Sequence, residues 1–160
     1  MKILFLCTGN SARSILGEYL LRHHGEGRFE TFSAGAQPTG RVHPLAQRVL
    51  QEDYGLDASD ARSESVTEYL DVGLDVVISV CDHARDTCPV FPGKVTQAHW
   101  GLPDPAAFEG PENEGLDVFR GVAVRLEEWI RELKALPIDK MSPVDLAAAL
   151  NKIARTERPA

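Results

Sequence analysis

Cysteine is scarce in this sequence, and long apolar runs are absent. Three cysteines in 160 residues are too few for a disulfide scaffold, and a chain of this length buries enough surface to fold as one domain without disulfides. So few thiols indicate a reducing compartment in which any disulfide is transient, and we expect a cytoplasmic protein. No segment approaches the ~18 apolar residues of a membrane span. The short apolar stretch after Lys2 does not resemble a signal peptide, so we expect no membrane partner.

Basic residues are also in deficit. The chain has 24 acidic and 17 basic side chains, a net charge of −7. Nucleic-acid binding needs a basic surface, so we expect no nucleic-acid partner. An oxyanion ligand remains compatible with this charge, because local amides and one arginine dominate the field at such a site while distant surface charge is screened.

The most informative segment lies at the N-terminus, where an apolar strand passes into a helix. Ile3–Leu6 has the composition of a buried strand, and apolar residues recur at helical spacing from Ile15 onward. The residues from Cys7 to Arg13 are therefore predicted to form a strand-to-helix loop. Amides at a helix N-terminus lack intrahelical partners and point toward one spot, where they bind anions.

Several side chains of this loop suit catalysis on an oxyanion. A thiol beside a helix N-terminus and a cation ionises readily, so Cys7 is expected to be a thiolate nucleophile. Arg13 can bind two oxygens of one oxyanion, and Ser14 can donate a hydrogen bond to the sulfur. Gly9 is expected to take a positive φ, while Asn10 tolerates left-handed geometry. The predicted oxyanion-binding residues are Thr8, Gly9, Asn10, Ser11, Ala12 and Arg13.

Further elements follow in an alternating order of strands and helices. This order predicts an α/β fold with an open, parallel, four-stranded sheet flanked by helices, and sites in such sheets form at the carboxyl ends of the strands. The other predicted strands are 29–34, 75–80 and 94–98, and the other predicted helices are 42–54, 116–133 and a short one from about 142 to 153.

Two later segments carry chemistry-bearing side chains at predicted strand ends. Cys81 follows one strand, and Cys88 lies seven positions further along, beyond a small and polar stretch that has nothing obvious to anchor it. Asp104 lies between Pro103 and Pro105, which would fix the position of its carboxylate. His99 and Trp100 are expected to pack or hydrogen-bond behind this loop.

The loop resembles that of the low-molecular-weight protein tyrosine phosphatases, and more closely that of the thioredoxin-coupled arsenate reductases that share their fold. The pair Cys81 and Cys88 matches the redox pair of the reductases. The segment 99–106 matches their general-acid loop, in which the aspartate before proline donates a proton. Ala106 stands where phosphatases commonly carry an aromatic residue. The resemblance extends to about Leu136, which predicts a catalytic domain over 1–136 and a C-terminal extension with a short helix over 137–160.

The resemblance implies a reaction and its partners. Cys7 would attack arsenate with Asp104 as general acid, Cys81 would displace arsenite by forming a disulfide with Cys7, and Cys88 would move that disulfide outward for thioredoxin or a similar dithiol donor. No cofactor is required, although the family often binds a potassium ion, here through positions matching Asn10, Glu18, Ser33 and Glu64. We expect a monomer.

The sequence departs from the reductase pattern at Ala12, where many members carry another cysteine that this scheme does not use. Two other functions remain open. One is hydrolysis of phosphomonoesters, in which water replaces Cys81 as second attacker. The other is a non-enzymatic thiol sensor or metalloid-binding protein, which leaves Arg13 and Asp104 without a role.

Overall fold

The computed structural model describes residues 1–155 of the chain. A four-stranded sheet forms its centre, with all strands parallel and in the order β2-β1-β3-β4. The strands are β1 (Lys2–Cys7), β2 (Glu30–Gly35), β3 (Val76–Ser79) and β4 (Thr96–His99). The predicted α/β fold and all four predicted strands are confirmed, with ends that differ by one or two residues.

Five helices flank this sheet within residues 1–155, and they are α1 (Arg13–His24), α2 (Pro44–Tyr54), α3 (Asp82–Asp86), α4 (Glu112–Ala135) and α5 (Pro143–Arg155). Short 3-10 turns occupy 66–69, 105–107 and 138–140. Helix α1 lies so close to β1 that a Cβ added to Gly17 would come within 2.7 Å of the Phe5 ring. This contact fixes the helix whose N-terminus faces the end of β1. Within residues 1–155, no helix combines the length and apolar character needed to cross a lipid bilayer.

Helix α4 carries the largest apolar face, as its periodicity predicts. It begins four residues before the predicted start, because Pro111 precedes its first turn and Glu112 and Glu114 complement the helix dipole there. Apolar residues recur along α4 at spacings of three and four and are buried, namely Phe119, Val122, Leu126, Trp129, Ile130 and Leu133.

Helix α5 packs against the sheet. It buries Leu150 against β4, and the Leu150 carbonyl accepts a hydrogen bond of 2.9 Å from the buried Trp100 indole. Asn151 Oδ1 accepts the backbone N–H of His99 at 2.8 Å, so α5 covers the open edge of β4. The predicted helix is therefore confirmed and packed. The division at residue 136 stays a prediction, and residues 156–160 of the predicted extension lie outside the described residues.

Candidate active site

The loop after β1 is held by its carbonyl groups. The carbonyls of Cys7, Thr8, Gly9 and Ser11 accept backbone N–H groups from the segment 36–43 at 2.9–3.0 Å. Because these carbonyls face outward, the amides of the loop turn toward its centre, as Asn10 N does toward the Cys7 sulfur at 3.1 Å. The loop thus has the backbone arrangement that binds an oxyanion, and Ala12 forms the buried N-cap of α1 at its end.

The left-handed position in this loop is Asn10, with φ of 48°, whereas Gly9 is not among the residues with positive φ. The expectation of a positive φ for Gly9 was wrong, and that for Asn10 is confirmed. Asn10 adopts this conformation because its buried amide is bound on both sides, by Glu64 N at 2.7 Å and by Ser14 Oγ at 2.8 Å. Gly9 instead provides space, since a Cβ there would lie 3.1 Å from the Thr39 methyl group.

The Cys7 sulfur is a hydrogen-bond acceptor in a nearly closed environment, with 3% of the residue exposed. Ser14 Oγ lies 2.9 Å from it. Because this hydroxyl already accepts a hydrogen bond from the side-chain NH2 group of Asn10, its own proton is directed at the sulfur. The sulfur then receives two hydrogen bonds, one from the Ser14 hydroxyl and one from the backbone N–H of Asn10.

Arg13 joins the loop to the segment that carries Asp104. Its Nη1 donates to the Leu102 carbonyl at 2.8 Å, and its Nη2 lies 3.9 Å from Asp104 Oδ2. The Arg13 side chain is 13% exposed and that of Asp104 is 45% exposed. Asp104 caps the turn at 105–107 by accepting the amide of Ala106 at 3.0 Å. The guanidinium is therefore pre-oriented, and the carboxyl group lies at the accessible side of the same site.

His43 supports the loop from α2. Its amide donates to Ser11 O at 2.9 Å, and its Nδ1 accepts the amide of Leu45 at 3.1 Å as the helix N-cap. Burial lowers the pKa of His43, and the nearby Asp104 carboxylate only partly opposes this effect. A neutral imidazole is also what the cap requires, because only an unprotonated Nδ1 can accept. His43 is therefore the N-cap of α2 beside the loop.

Cys81 comes just after β3, the strand that pairs with β1, and Cys7 is the last residue of β1. Leu6 and Ser79 are register partners in the sheet, so the two cysteines leave adjacent strands at nearly the same height. The Cys81 sulfur lies 3.2 Å from Thr8 Oγ1 and accepts the amide of Ala84 at 3.4 Å as N-cap of α3. A second thiol is thus held against the loop that contains the first.

Cys88 follows α3 in the chain, and all three cysteines are free. It is half-buried, which raises the pKa of its thiol above the ordinary value. The expectation that the intervening stretch has nothing to anchor it was wrong: residues 82–86 form α3, and its Ala84 is fully buried. The remaining side chains of α3 are exposed, as expected.

The four predicted potassium ligands lie around the base of the loop. Ser33 Oγ donates to Glu18 Oε1 at 2.6 Å, and Tyr69 donates to Glu64 at 3.0 Å. Asn10 Oδ1 accepts the amide of Glu64. Burial raises the pKa of Glu18, with a contribution from the Glu64 carboxylate, although Arg22 forms a 2.7 Å ion pair with Glu18. Such a set of oxygens has more negative charge than one guanidinium balances, so it fits a monovalent cation.

The structure brings Cys7, Arg13, Ser14, Cys81 and Asp104 into one site and separates Cys88 from it by a helix. Sequence reasoning missed the contact of Thr8 with Cys81 and that of Arg13 with the Leu102 carbonyl. It also missed the bond between His99 Nε2 and Asp82 at 2.9 Å. Each joins residues from separate segments, so no local spacing could have indicated it. Within residues 1–155, no group of three or more His, Cys, Asp or Glu side chains could hold a metal ion.

Comparison with known proteins places this site in a defined context. The chain is 38% identical over 129 residues to an arsenate reductase of Halalkalibacterium halodurans, an alignment that covers 81% of this chain and 91% of the relative. An arsenate reductase solved in a phosphate-binding state superimposes with a TM-score of 0.64 at 29% identity, covering 84% of this chain and 96% of that one.

Two further solved structures represent the two activities that the resemblance suggests. A thioredoxin-dependent arsenate reductase of Corynebacterium glutamicum matches with a TM-score of 0.57 and 31% identity over 81% of this chain and 61% of that one. A low molecular weight protein tyrosine phosphatase of T. tengcongensis matches with a TM-score of 0.71 and 26% identity over 88% of this chain and 99% of that one. The model of the low molecular weight phosphotyrosine protein phosphatases matches residues 2–142. The chain therefore belongs to the low molecular weight phosphotyrosine protein phosphatase family.

Proposed function

We propose that this protein reduces arsenate to arsenite in the cytoplasm, with electrons supplied by thioredoxin or a similar dithiol protein. The observation that carries the proposal is the position of Cys81, whose sulfur lies 3.2 Å from Thr8 Oγ1 beside the nucleophile. Hydrolysis of a phosphoester has no use for a thiol there, whereas reduction needs a second sulfur within reach of the first.

The first step is attack of the Cys7 thiolate on arsenic. The arsenate lies in the loop, where the amides and the Arg13 fork neutralise its charge. Asp104 donates a proton to the departing oxygen, so that water leaves and a bond between Cys7 sulfur and arsenic remains. The position of Asp104 on the accessible side of Arg13 supports this role.

The second step transfers two electrons to arsenic. The Cys81 thiol loses its proton and attacks the Cys7 sulfur, so the sulfur–arsenic bond breaks and its electron pair stays on arsenic. Arsenite leaves and a disulfide joins Cys7 to Cys81. Cys88 then attacks Cys81, which releases the Cys7 thiolate and leaves a Cys81–Cys88 disulfide for the external dithiol to reduce.

A coupled assay with arsenate, thioredoxin, thioredoxin reductase and NADPH tests this scheme. Cys7→Ser should abolish NADPH oxidation, and Cys88→Ser should allow one turnover and accumulate a Cys7–Cys81 disulfide that peptide mapping detects. Multiple turnovers by Cys88→Ser with thioredoxin would reject the relay.

Phosphomonoester hydrolysis is a second candidate, favoured by the arrangement of Arg13 and Asp104 around the loop. Water would then take the place of Cys81. Cys81→Ser separates the two activities, because it should leave hydrolysis of an aryl phosphate intact while it abolishes arsenate reduction. A non-enzymatic sensor would show neither turnover.

Potassium is a proposed structural ion at Asn10, Glu18, Ser33 and Glu64. The raised pKa of Glu18 supports it, because an added cation would stabilise the buried carboxylate. It would act on the loop through Asn10 and has no part in the chemical steps above.

A further inference from the structure

The imidazole of His99 connects the sheet to helix α3, which lies between Cys81 and Cys88. Its Nδ1 lies 2.8 Å from Ser79 Oγ in β3, and its Nε2 lies 2.9 Å from Asp82 Oδ1, at the first residue of α3. An ionised carboxylate can only accept, so Nε2 carries a proton. Nδ1 faces the Ser79 hydroxyl, which also lies 3.4 Å from the Ala98 carbonyl oxygen.

His99 itself is held in place on several sides. Its backbone N–H donates to Asn151 Oδ1 of α5 at 2.8 Å, and a Cβ added to Gly101 would lie 3.0 Å from its Nε2. The side chain is 21% exposed, whereas that of Asp82 is 77% exposed. The fixed partner of this bond is therefore the histidine, and the partner free to move is the helix.

Asp82 directly follows Cys81, so the bond acts at the point where α3 begins. In the structure, where α3 is formed and which we call the closed state, Cys81 is the N-cap of α3 and its sulfur contacts Thr8. The six steps from the N-cap Cys81 to the C-cap Thr87 of α3, the residue before Cys88, rise by about 9 Å, more than the ~7 Å between Cα atoms that a disulfide tolerates. Formation of the Cys81–Cys88 disulfide therefore requires α3 to open, which the bond between Asp82 and His99 opposes.

We propose that His99 is a positioning residue that holds α3 closed through Asp82 while Cys81 attacks Cys7, and that release of this bond controls the handover to Cys88. The inference rests on the proposed relay. Loss of the hydrogen bond between His99 and Asp82 should change the equilibrium for opening of α3 by roughly two- to tenfold. Arg85 lies 3.9 Å from the same oxygen of Asp82 but is on α3 itself, so it cannot tie the helix to the sheet.

The test measures the Cys81–Cys88 disulfide in a Cys7→Ser background, equilibrated with mixtures of reduced and oxidised dithiothreitol. Asp82→Ala should favour the disulfide about two- to tenfold, a potential about 9 to 30 mV more negative. Asp82→Asn keeps an acceptor for Nε2 and should restore most of the parental value. His83→Ala, an exposed change on the same helix, is the control and should have no effect.

A double-mutant cycle separates the bond from general weakening of α3. His99→Gln and His99→Phe should each shift the potential as Asp82→Ala does, less for Gln because it retains an N–H donor. Adding Asp82→Ala to His99→Phe should produce no further shift. Additive shifts, or an unchanged potential in Asp82→Ala, would overturn the proposal.

Kinetics with the three cysteines present supply the second readout. Asp82→Ala should slow formation of the Cys7–Cys81 disulfide after addition of arsenate and speed its conversion to Cys81–Cys88, while uniform slowing of both would contradict the proposed role. The measurements with dithiothreitol need no arsenate. A protein that fails to reduce arsenate would therefore refute the proposed function while the potentials still report on the His99 bond.

Discussion

The loop 7–14 and the segment 81–88 lie at the ends of neighbouring parallel strands, and both carry cysteine. The two segments differ in how deeply they are buried and in how many contacts hold them. In the loop, Asn10 and Ser14 are fully buried, and the carbonyls are bound by a neighbouring segment. In the second segment, a five-residue helix exposes most of its side chains and is anchored by Ala84 and by Asp82. The difference teaches that a site which stabilises charge must be rigid, whereas a thiol that carries a disulfide outward must be able to move.

The largest expected effect concerns the loop 7–14. Arg13→Lys should lower kcat/KM for arsenate by roughly 100- to 1,000-fold, because an ammonium group cannot bind two oxygens and the Leu102 carbonyl together. Steady-state kinetics measure this, with Arg41→Lys, an exposed arginine in a neighbouring segment, as the control. A loss below tenfold would show that the preorganised fork is dispensable.

The next largest effect concerns ionisation of the Cys88 thiol in the segment 81–88. Burial raises the pKa of Cys88 above the ordinary thiol value of 9.0. A raised thiol pKa favours the protonated, packed form, so that contribution to stability is complete below pH 9.0 and is lost as the pH rises through the folded-state value. Formation of the Cys81–Cys88 disulfide should accelerate by up to tenfold per pH unit, roughly, between pH 7 and 9.

Stopped reactions trapped by alkylation at each pH report this rate. A rate that does not change between about pH 7 and 9 would contradict the prediction.

Weakening α3 should speed transfer of the disulfide to Cys88. Ala84→Gly removes the buried methyl group that anchors α3 and lowers helix propensity by about 1 kcal/mol, so the helix should open about fivefold more often and Cys81–Cys88 should form faster by the same factor. Rapid quenching measures this rate. Ala148→Gly, an exposed change in α5, is the matched control; equal acceleration there would show a global effect.

The smallest effect concerns the base of the rigid loop. Replacing sodium with potassium should raise Tm by about 2–4 °C, because the cation offsets the cost of keeping Glu18 ionised inside the protein. Thermal unfolding followed by circular dichroism measures the shift, and Glu18→Gln should abolish it. Equal Tm values in both salts would count against the site.

The sequence by itself determined the four strands, the four longer helices and most of the side chains of the proposed mechanism. Strand and helix periodicity depends on which residues face the core, and the spacing of Cys7, Arg13 and Ser14 depends on one local loop. Tertiary structure decided the partners: the Leu102 carbonyl for Arg13, Thr8 for Cys81 and His99 for Asp82. It also decided that Ala84 is buried and that Asn10 rather than Gly9 is left-handed. These contacts join segments that are distant along the chain, so they depend on how the sheet and helices pack and leave no periodic pattern in the sequence.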